Sequence, residues 1–261
     1  MEIRPVAMRT VAIANQKGGV GKTTTAVNLA AGLAQNGKRV LLIDLDPQAN
    51  ATTGLGLGSS ATATIYHALL GELPLSAVLL NAFPEGLSLA PSSPDLAGAE
   101  VELYDRPDRE RRLQDAIAPV ADFDYALIDC PPALNMLTIN ALVAADSVLI
   151  PMQCEYYALE GLTQLLGTVR RVRAQLNPRL EVHGLLRTMF DNRNRLASEV
   201  GLELERHFPD KLYQTVVPRN IRLAEAPSFG RAALVYDPAC AGSRAYQGVA
   251  TEFLRREWRK S

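Results

Sequence analysis

The segment ANQKGGVGKTT, Ala14 to Thr24, constrains this chain more than any other stretch. It follows the β-branched and apolar run RTVAIA (Arg9 to Ala14) and opens a helical pattern from Lys22 to Asn36 that Gly37 closes. A strand that passes through a glycine-rich turn into a helix leaves the first amides of that helix without partners of their own. Those amides and the positive end of the helix dipole converge on one point, where an anion is favoured. The end of the segment, Gly21-Lys22-Thr23, fits the phosphate-loop pattern G-x-x-x-x-G-K-[ST], but the position of its first glycine holds Gln16. Gly18 and Gly19 offer a tighter route for the backbone to turn its N–H groups inward. The alternative is a glycine turn of purely structural use.

On the phosphate reading, Gly18, Gly19, Val20 and Gly21 surround the phosphates of ATP, and Lys22 neutralises the β and γ oxygens. The Thr23 hydroxyl ligates Mg²⁺ and Thr24 reaches the α-phosphate. Two acidic motifs close later apolar runs: Asp44 and Asp46 in RVLLIDLDPQ, and Asp129 in YALIDCPP. A carboxylate at the buried end of a strand needs solvent, a hydrogen-bond network or a metal. Asp129 is therefore expected in the magnesium shell through water, Asp44 in the same polar network, and Asp46 beside the attacking water. Asp44 has a second reading, as a cap for the segment after it.

The runs Arg39 to Asp44, Tyr125 to Cys130 and Ser147 to Met152 are continuously apolar, as parallel strands covered on both faces are. LEVHGLLRTM (Leu180 to Met189) and KLYQTVV (Lys211 to Val217) predict later strands. Helical patterns cover Asp108 to Val120, Asn135 to Ala145, Tyr157 to Leu176, Leu196 to His207 and Ser243 to Trp258. The pattern predicts an α/β fold of phosphate-loop type, a mostly parallel twisted sheet flanked by helices on both faces, with ligands at the carboxyl ends of its strands. The Gly-, Pro-, Ser- and Ala-rich segment Asn50 to Asp105 resists assignment. The 261 residues are read as one domain, 1–261.

Cys130, Cys154 and Cys240 lie far apart with no CxxC pair, which suggests neither a disulfide framework nor a zinc site and suits a reducing cytoplasm. No secretory pattern opens the chain and no apolar stretch is long enough to span a bilayer. The formal net charge of −1 hides an asymmetry: residues 1–159 carry 10 Lys/Arg against 17 Asp/Glu, and the remainder carries 17 against 11. The basic half suits an anionic partner or solvated helix faces.

With KGGVGKTT, DLDPQ and DCPP in this order, the chain resembles the ParA/Soj family of partitioning ATPases, the phosphate-loop class with a deviant motif that includes MinD. The resemblance extends through PMQCEYYALEGL (Pro151 to Leu162) and PRNIRLAEAPS (Pro218 to Ser228), covering nearly the whole chain. It implies Mg²⁺-dependent ATP hydrolysis and an ATP-sandwiched homodimer, in which Lys17 crosses the interface to the partner's phosphates. Catalytic roles fall to Lys17, Lys22 and Asp46. It implies that Pro218 and Asn220 line the adenine pocket. It also implies nonspecific double-stranded DNA binding through Arg193, Arg195, Arg219 and Arg222, a ParB-type centromere-binding partner, and a nucleoid-associated cytoplasmic protein that moves chromosomes or plasmids. The few residues before Arg9 argue against the larger plasmid type with a DNA-reading extension.

Rival readings stay open. Lys17 could be a solvated loop lysine or bind phosphate in its own subunit. Pro218 and Asn220 could only punctuate a loop, and the arginines could pair with Glu199, Glu203, Glu205 and Glu225. A MinD-like membrane ATPase would use the stripe Tyr246, Val249, Ala250, Phe253, Leu254 and Trp258, with Arg255, Arg256, Arg259 and Lys260 beside it; packing of that stripe on the core competes with this. A metabolic enzyme such as an amide ligase would need a further substrate pocket that no motif supplies. An iron–sulfur reductase would need cluster cysteines, and neither Cys130 nor Cys154 lies in such a motif.

Overall fold

Seven strands form one sheet in the order β3-β4-β2-β5-β1-β6-β7 in a computed structural model that describes residues 8–258. The strands are β1 (Arg9–Ile13), β2 (Val40–Asp44), β3 (Leu80–Ala82), β4 (Leu87–Ala90), β5 (Tyr125–Asp129), β6 (Ser147–Met152) and β7 (Glu181–Arg187). Every pairing is parallel except that of β3 with β4. The helices are α1 (Lys22–Gln35), α2 (Asn50–Gly54), α3 (Ile65–Leu70), α4 (Leu75–Val78), α5 (Leu96–Leu103) and α6 (Arg112–Ile117) in the first half. They continue as α7 (Met136–Ala144), α8 (Ala158–Gln175), α9 (Arg195–His207), α10 (Ile221–Glu225), α11 (Ala233–Tyr236) and α12 (Ala241–Trp258).

Side chains that alternate along each strand divide the core in two. Ala12, Leu41, Ile43, Ala126, Ile128 and Val148 face the layer that α3 to α9 build. Val11, Ile13, Leu42, Leu127, Leu149 and Leu186 face α1 and α12. Those two helices approach closely, and a Cβ at Gly32 of α1 would sit 2.9 Å from Ala250 Cβ. The stripe that a membrane-bound relative would need is thus spent on the core: Tyr246, Val249, Ala250 and Phe253 are buried, and only Trp258 of that set is exposed. Arg259 and Lys260 lie outside the described residues.

The central strands and the later helices fall where the apolar periods place them, and Asn135 and Asn194 cap α7 and α9 by accepting from Thr138 N and Ala197 N. Two expectations are corrected. The helix expected over Asp108 to Val120 is confined to Arg112–Ile117. Lys211 to Val217 is extended but is no strand, because its bonds to β7 are interrupted. Leu185 N donates to Lys211 O, Tyr213 N to Leu185 O and Val217 N to Arg187 O, each at 2.9 Å. Between them the amides of Gln214 and Thr215 turn away to the Glu252 carboxylate of α12, at 3.0 and 2.9 Å. The uncertain stretch after Asn50 contains four short α-helices and a 3₁₀ turn at Gly58–Ser60 together with β3 and β4.

Gly184 lets this segment lie against β7. A Cβ there would stand 2.6 Å from Tyr213 Cε2 and 2.7 Å from the Lys211 carbonyl oxygen. Gly184→Ala is expected to destabilise the protein by about 2 kcal/mol through overpacking against backbone. Chemical denaturation checks this, and an unchanged midpoint would contradict the contact.

Candidate functional site

Parallel register brings the chemistry together. β5 lies between β1 and β2, with Asp129 aligned to Ile13 on one side and to Asp44 on the other. The two carboxylates therefore end their strands at the level where β1 enters the glycine loop, at the carboxyl edge expected of such a sheet. In that loop Gly19 and Gly21 adopt φ of +73° and +86°, a left-handed backbone that glycine tolerates best. Gly21 precedes α1 and, among the described residues, no side chain caps the helix, so its first amides lack partners within it.

Lys22 is buried, and its ammonium donates to the Lys17 carbonyl oxygen at 3.2 Å. Burial pulls its pKa below the usual lysine value, and the negative charges of Asp129 and Asp46 oppose that shift. Asp129 is fully buried, and neither carboxylate oxygen has a hydrogen-bond partner of good geometry. Its pKa is raised well above the ordinary carboxylate range by burial first and by Asp44 second, while the Thr23 hydroxyl and Lys22 pull it down. Asp44 is equally buried but satisfied: Oδ2 accepts from Thr52 N at 2.8 Å and Thr52 Oγ1 at 2.7 Å, and Oδ1 accepts from Asp46 N at 3.3 Å. Burial still pushes Asp44 up to about 6.

Asp46 is fixed by its surroundings. Its Oδ1 accepts from Gln48 N at 3.0 Å, and its carbonyl accepts from Ser92 Oγ at 2.8 Å. Ser92 N in turn donates to Thr52 Oγ1 at 2.9 Å, closing a chain from Asp44 to Asp46. Of the three carboxylates, Asp129 is the one whose two oxygens both lack a donor of good geometry among the described residues. Among the described residues, no group of three or more His, Cys, Asp or Glu is placed to hold a metal by itself. A cation here would have to draw on a hydroxyl, water and a nonprotein anion, a donor set suited to Mg²⁺ with a nucleotide phosphate.

Lys17 stands apart from this cluster. Its amide donates to Asn15 Oδ1 at 3.0 Å, and its half-exposed ammonium pairs with the half-exposed Glu155 carboxylate. A cavity of about 230 Å³ opens beside the start of α1, lined by Gly21, Thr24, Pro218, Asn220, Leu223 and Tyr246 among others. Asn220 also serves the fold, since its Oδ1 accepts from Arg222 N at 2.9 Å and caps α10.

The four arginines do not form one free cationic surface in the single chain. Arg193 grips Asp191 through two nitrogens at 2.9 and 2.8 Å, and Arg195 meets Glu199 at 2.9 Å. Arg222 meets Glu225 at 2.7 Å and Asp237 at 3.4 Å. Arg219 is exposed and has no ion pair among the described residues. Asp191 and Asp237 were not foreseen as partners, and neither were the supports Thr52 and Ser92. A single Thr or Ser carries no spacing that would have marked it.

A family model described as an AAA domain matches residues 8–182. The chromosome partitioning protein ParA of Caulobacter vibrioides is 52% identical over 254 residues, covering 96% of this chain and 95% of its own length. The sporulation initiation inhibitor protein Soj of Bacillus subtilis is 51% identical over 246 residues, covering 94% of this chain and 97% of its own. A crystal structure of cobyrinic acid a,c-diamide synthase from Mycobacterium smegmatis with bound ADP and magnesium superposes with a TM-score of 0.85 at 37% identity, covering 97% of each chain.

The orphaned carboxylate has a measurable cost. A group whose folded pKa lies above its unfolded value binds more protons when folded, so stability falls as pH rises through the interval between the two. Asp129→Asn is expected to raise the unfolding midpoint of the nucleotide-free protein at pH 8 by a few degrees and to flatten its decline as pH rises above the ordinary carboxylate range. Thermal scans across that range check this; a lower midpoint at pH 8 would show that the carboxylate is already satisfied.

Proposed function

The chain belongs to the ParA/Soj family of chromosome-partitioning proteins, and from that premise we propose that it is an ATP-dependent switch for partitioning DNA. ATP binding forms a homodimer, the dimer holds DNA without sequence preference, and hydrolysis resets the monomer. The observation that carries this reading is the convergence of the open α1 N-terminus, Lys22 and the unpartnered Asp129 at one end of the sheet. The base falls to the cavity beside Gly21 and Thr24, lined by Pro218 and Asn220. Thr24 serves the α-phosphate. Gly18, Gly19, Val20 and Gly21 supply the amides for the phosphate chain.

Thr23 would ligate a hydrated Mg²⁺ and Asp129 would hold its waters. The ion would supply neutralisation of the phosphate charge. Asp44, with both oxygens committed to Thr52 and Asp46, supports the shell from behind and holds the chain that fixes Asp46. Asp46 orients the attacking water, and Lys22 steadies the charge that develops on the phosphates.

Lys17 couples fuel to assembly. In the single subunit its ammonium rests on Glu155, at the protein surface, where an ion pair contributes at most about 1 kcal/mol. The phosphates of a second, ATP-loaded copy carry more charge and hold it better, so the lysine exchanges partners only when a triphosphate is present. The arginines behave alike: Arg193, Arg195 and Arg222 are in exposed or half-exposed pairs that DNA phosphates can replace, and Arg219 has no carboxylate to leave. A dimer doubles the phosphates neutralised and steepens the salt dependence. A ParB-type protein completes the cycle by stimulating hydrolysis, and the site of action is the cytoplasmic nucleoid. No helix among the described residues is long and apolar enough to cross a membrane.

The Mycobacterium smegmatis structure bears the name of an amide-forming enzyme, a reaction that requires a second substrate beside the nucleotide. The higher identity to partitioning proteins, 52% against 37%, favours the switch. Lys17→Ala is expected to bind ATP within about threefold of the unaltered protein while losing both the ATP-dependent dimer and ATP-dependent retention of DNA. Light scattering and filter retention with Mg²⁺-ATP read this out. A variant that dimerises normally would remove Lys17 from the coupling.

A further inference from the structure

The phosphate loop lacks the first glycine of the ordinary pattern, yet its backbone is held in place by side chains from two other strands. Thr188, one residue beyond β7, donates from Oγ1 to the Val20 carbonyl oxygen at 2.7 Å, and both residues are 1% exposed. Gln153, one residue beyond β6, donates from Nε2 to the Gly19 carbonyl oxygen at 3.2 Å. Both bonds grip carbonyls. In a planar trans peptide the C=O of one residue and the N–H of the next point in opposite directions. Pulling the Val20 carbonyl toward Thr188 therefore turns the Gly21 amide the other way, and pulling the Gly19 carbonyl toward Gln153 does the same for the Val20 amide.

Thr188 is itself locked. Its amide donates to Met152 O at 2.9 Å, which ties it to the end of β6. Met189 follows with φ of +49°, a left-handed conformation that a side chain rarely adopts. The chain then returns through Phe190 N, which donates to Val217 O at 3.0 Å immediately before Pro218 and the base cavity. A bulky turn is maintained here against its local preference, and it places a hydroxyl under the loop. The glycine at 21 answers to its φ rather than to crowding, since a Cβ there would meet Thr188 at an ordinary 3.8 Å.

We infer that Thr188 and Gln153 are positioning residues of the phosphate loop: by holding the Val20 and Gly19 carbonyls from behind, they aim the Gly21 and Val20 amides at the bound phosphates. This does the work that loop closure by the first glycine does elsewhere, and it rests on the nucleotide reading of the site. Thr188 dominates, because its bond is short and buried, and Gln153 contributes less from its half-exposed position.

Thr188→Val keeps the shape and removes the donor; Thr188→Ser keeps the donor. Titration with Mg²⁺-ATP and steady-state hydrolysis are expected to show Thr188→Val weakening binding and raising KM about tenfold with kcat within about twofold, because preset amides serve ground and transition state alike. Thr188→Ser should stay within about threefold of the unaltered protein. Gln153→Leu, at a surface where folding is not at stake, should raise KM severalfold and provides a second test. Unaltered affinity in both Thr188→Val and Gln153→Leu would overturn the inference, as would equal losses in Thr188→Val and Thr188→Ser. A fall in kcat at constant KM would point instead to a smaller folded fraction and would also overturn it. Failure of the unaltered protein to bind Mg²⁺-ATP would remove the nucleotide reading itself, a result separable from these.

Discussion

Three neighbouring parallel strands that stop at the same level are the constraint on which the rest of the structure depends. Because β5 is hydrogen-bonded to β1 and β2 with Asp129 opposite Ile13 and Asp44, the loop after β1 opens beside two carboxylates that the sequence places far apart. A register slip of one residue would turn each strand's side chains to the other face, removing the acids from the site and the apolar side chains from their layer. The packing that stabilises the sheet and the alignment that builds the site are thus one requirement.

That alignment creates an imbalance which the single chain leaves uncorrected. Asp44 spends its oxygens on Thr52 and Asp46, whereas neither oxygen of Asp129 has a donor of good geometry among the described residues, and the Thr23 hydroxyl and Lys22 offset its burial only in part. Beside it, the start of α1 has no side-chain cap among the described residues, and the Lys22 ammonium donates to the Lys17 carbonyl. A hydrated cation joined to a phosphate chain would satisfy both sets at once. The Lys17–Glu155 pair repeats this logic at the surface, as a weak contact suited to exchange for a stronger one.

Legibility in the sequence follows the range of the forces involved. The glycine loop, the apolar strands and the long helices are local: the residue types and their spacing encode them, and β6 lies at the bounds its apolar run marks. Asp129 was also legible, since a carboxylate ending the run YALID needs a reason to be there. β3 and β4 were not, being three and four residues long and stabilised by pairing with distant chain. Lys211 to Val217 looks like a strand by composition, but the Glu252 carboxylate takes two of its amides, and nothing in the segment announces a partner in α12. Likewise the partners of Arg193 and Arg222, and the hydroxyl of Thr188 beneath Val20, depend on contacts that only the folded chain brings together.

The account stands on metal and nucleotide completing one another at the strand ends. Its most direct test is the unfolding midpoint of the unaltered protein with Mg²⁺ alone, with ATP in excess chelator, and with both together. Stabilisation by the pair that greatly exceeds the sum of the separate effects is the predicted result. Equal stabilisation by ATP with and without the cation would contradict it, because Asp129 would then have no part in holding the ligand.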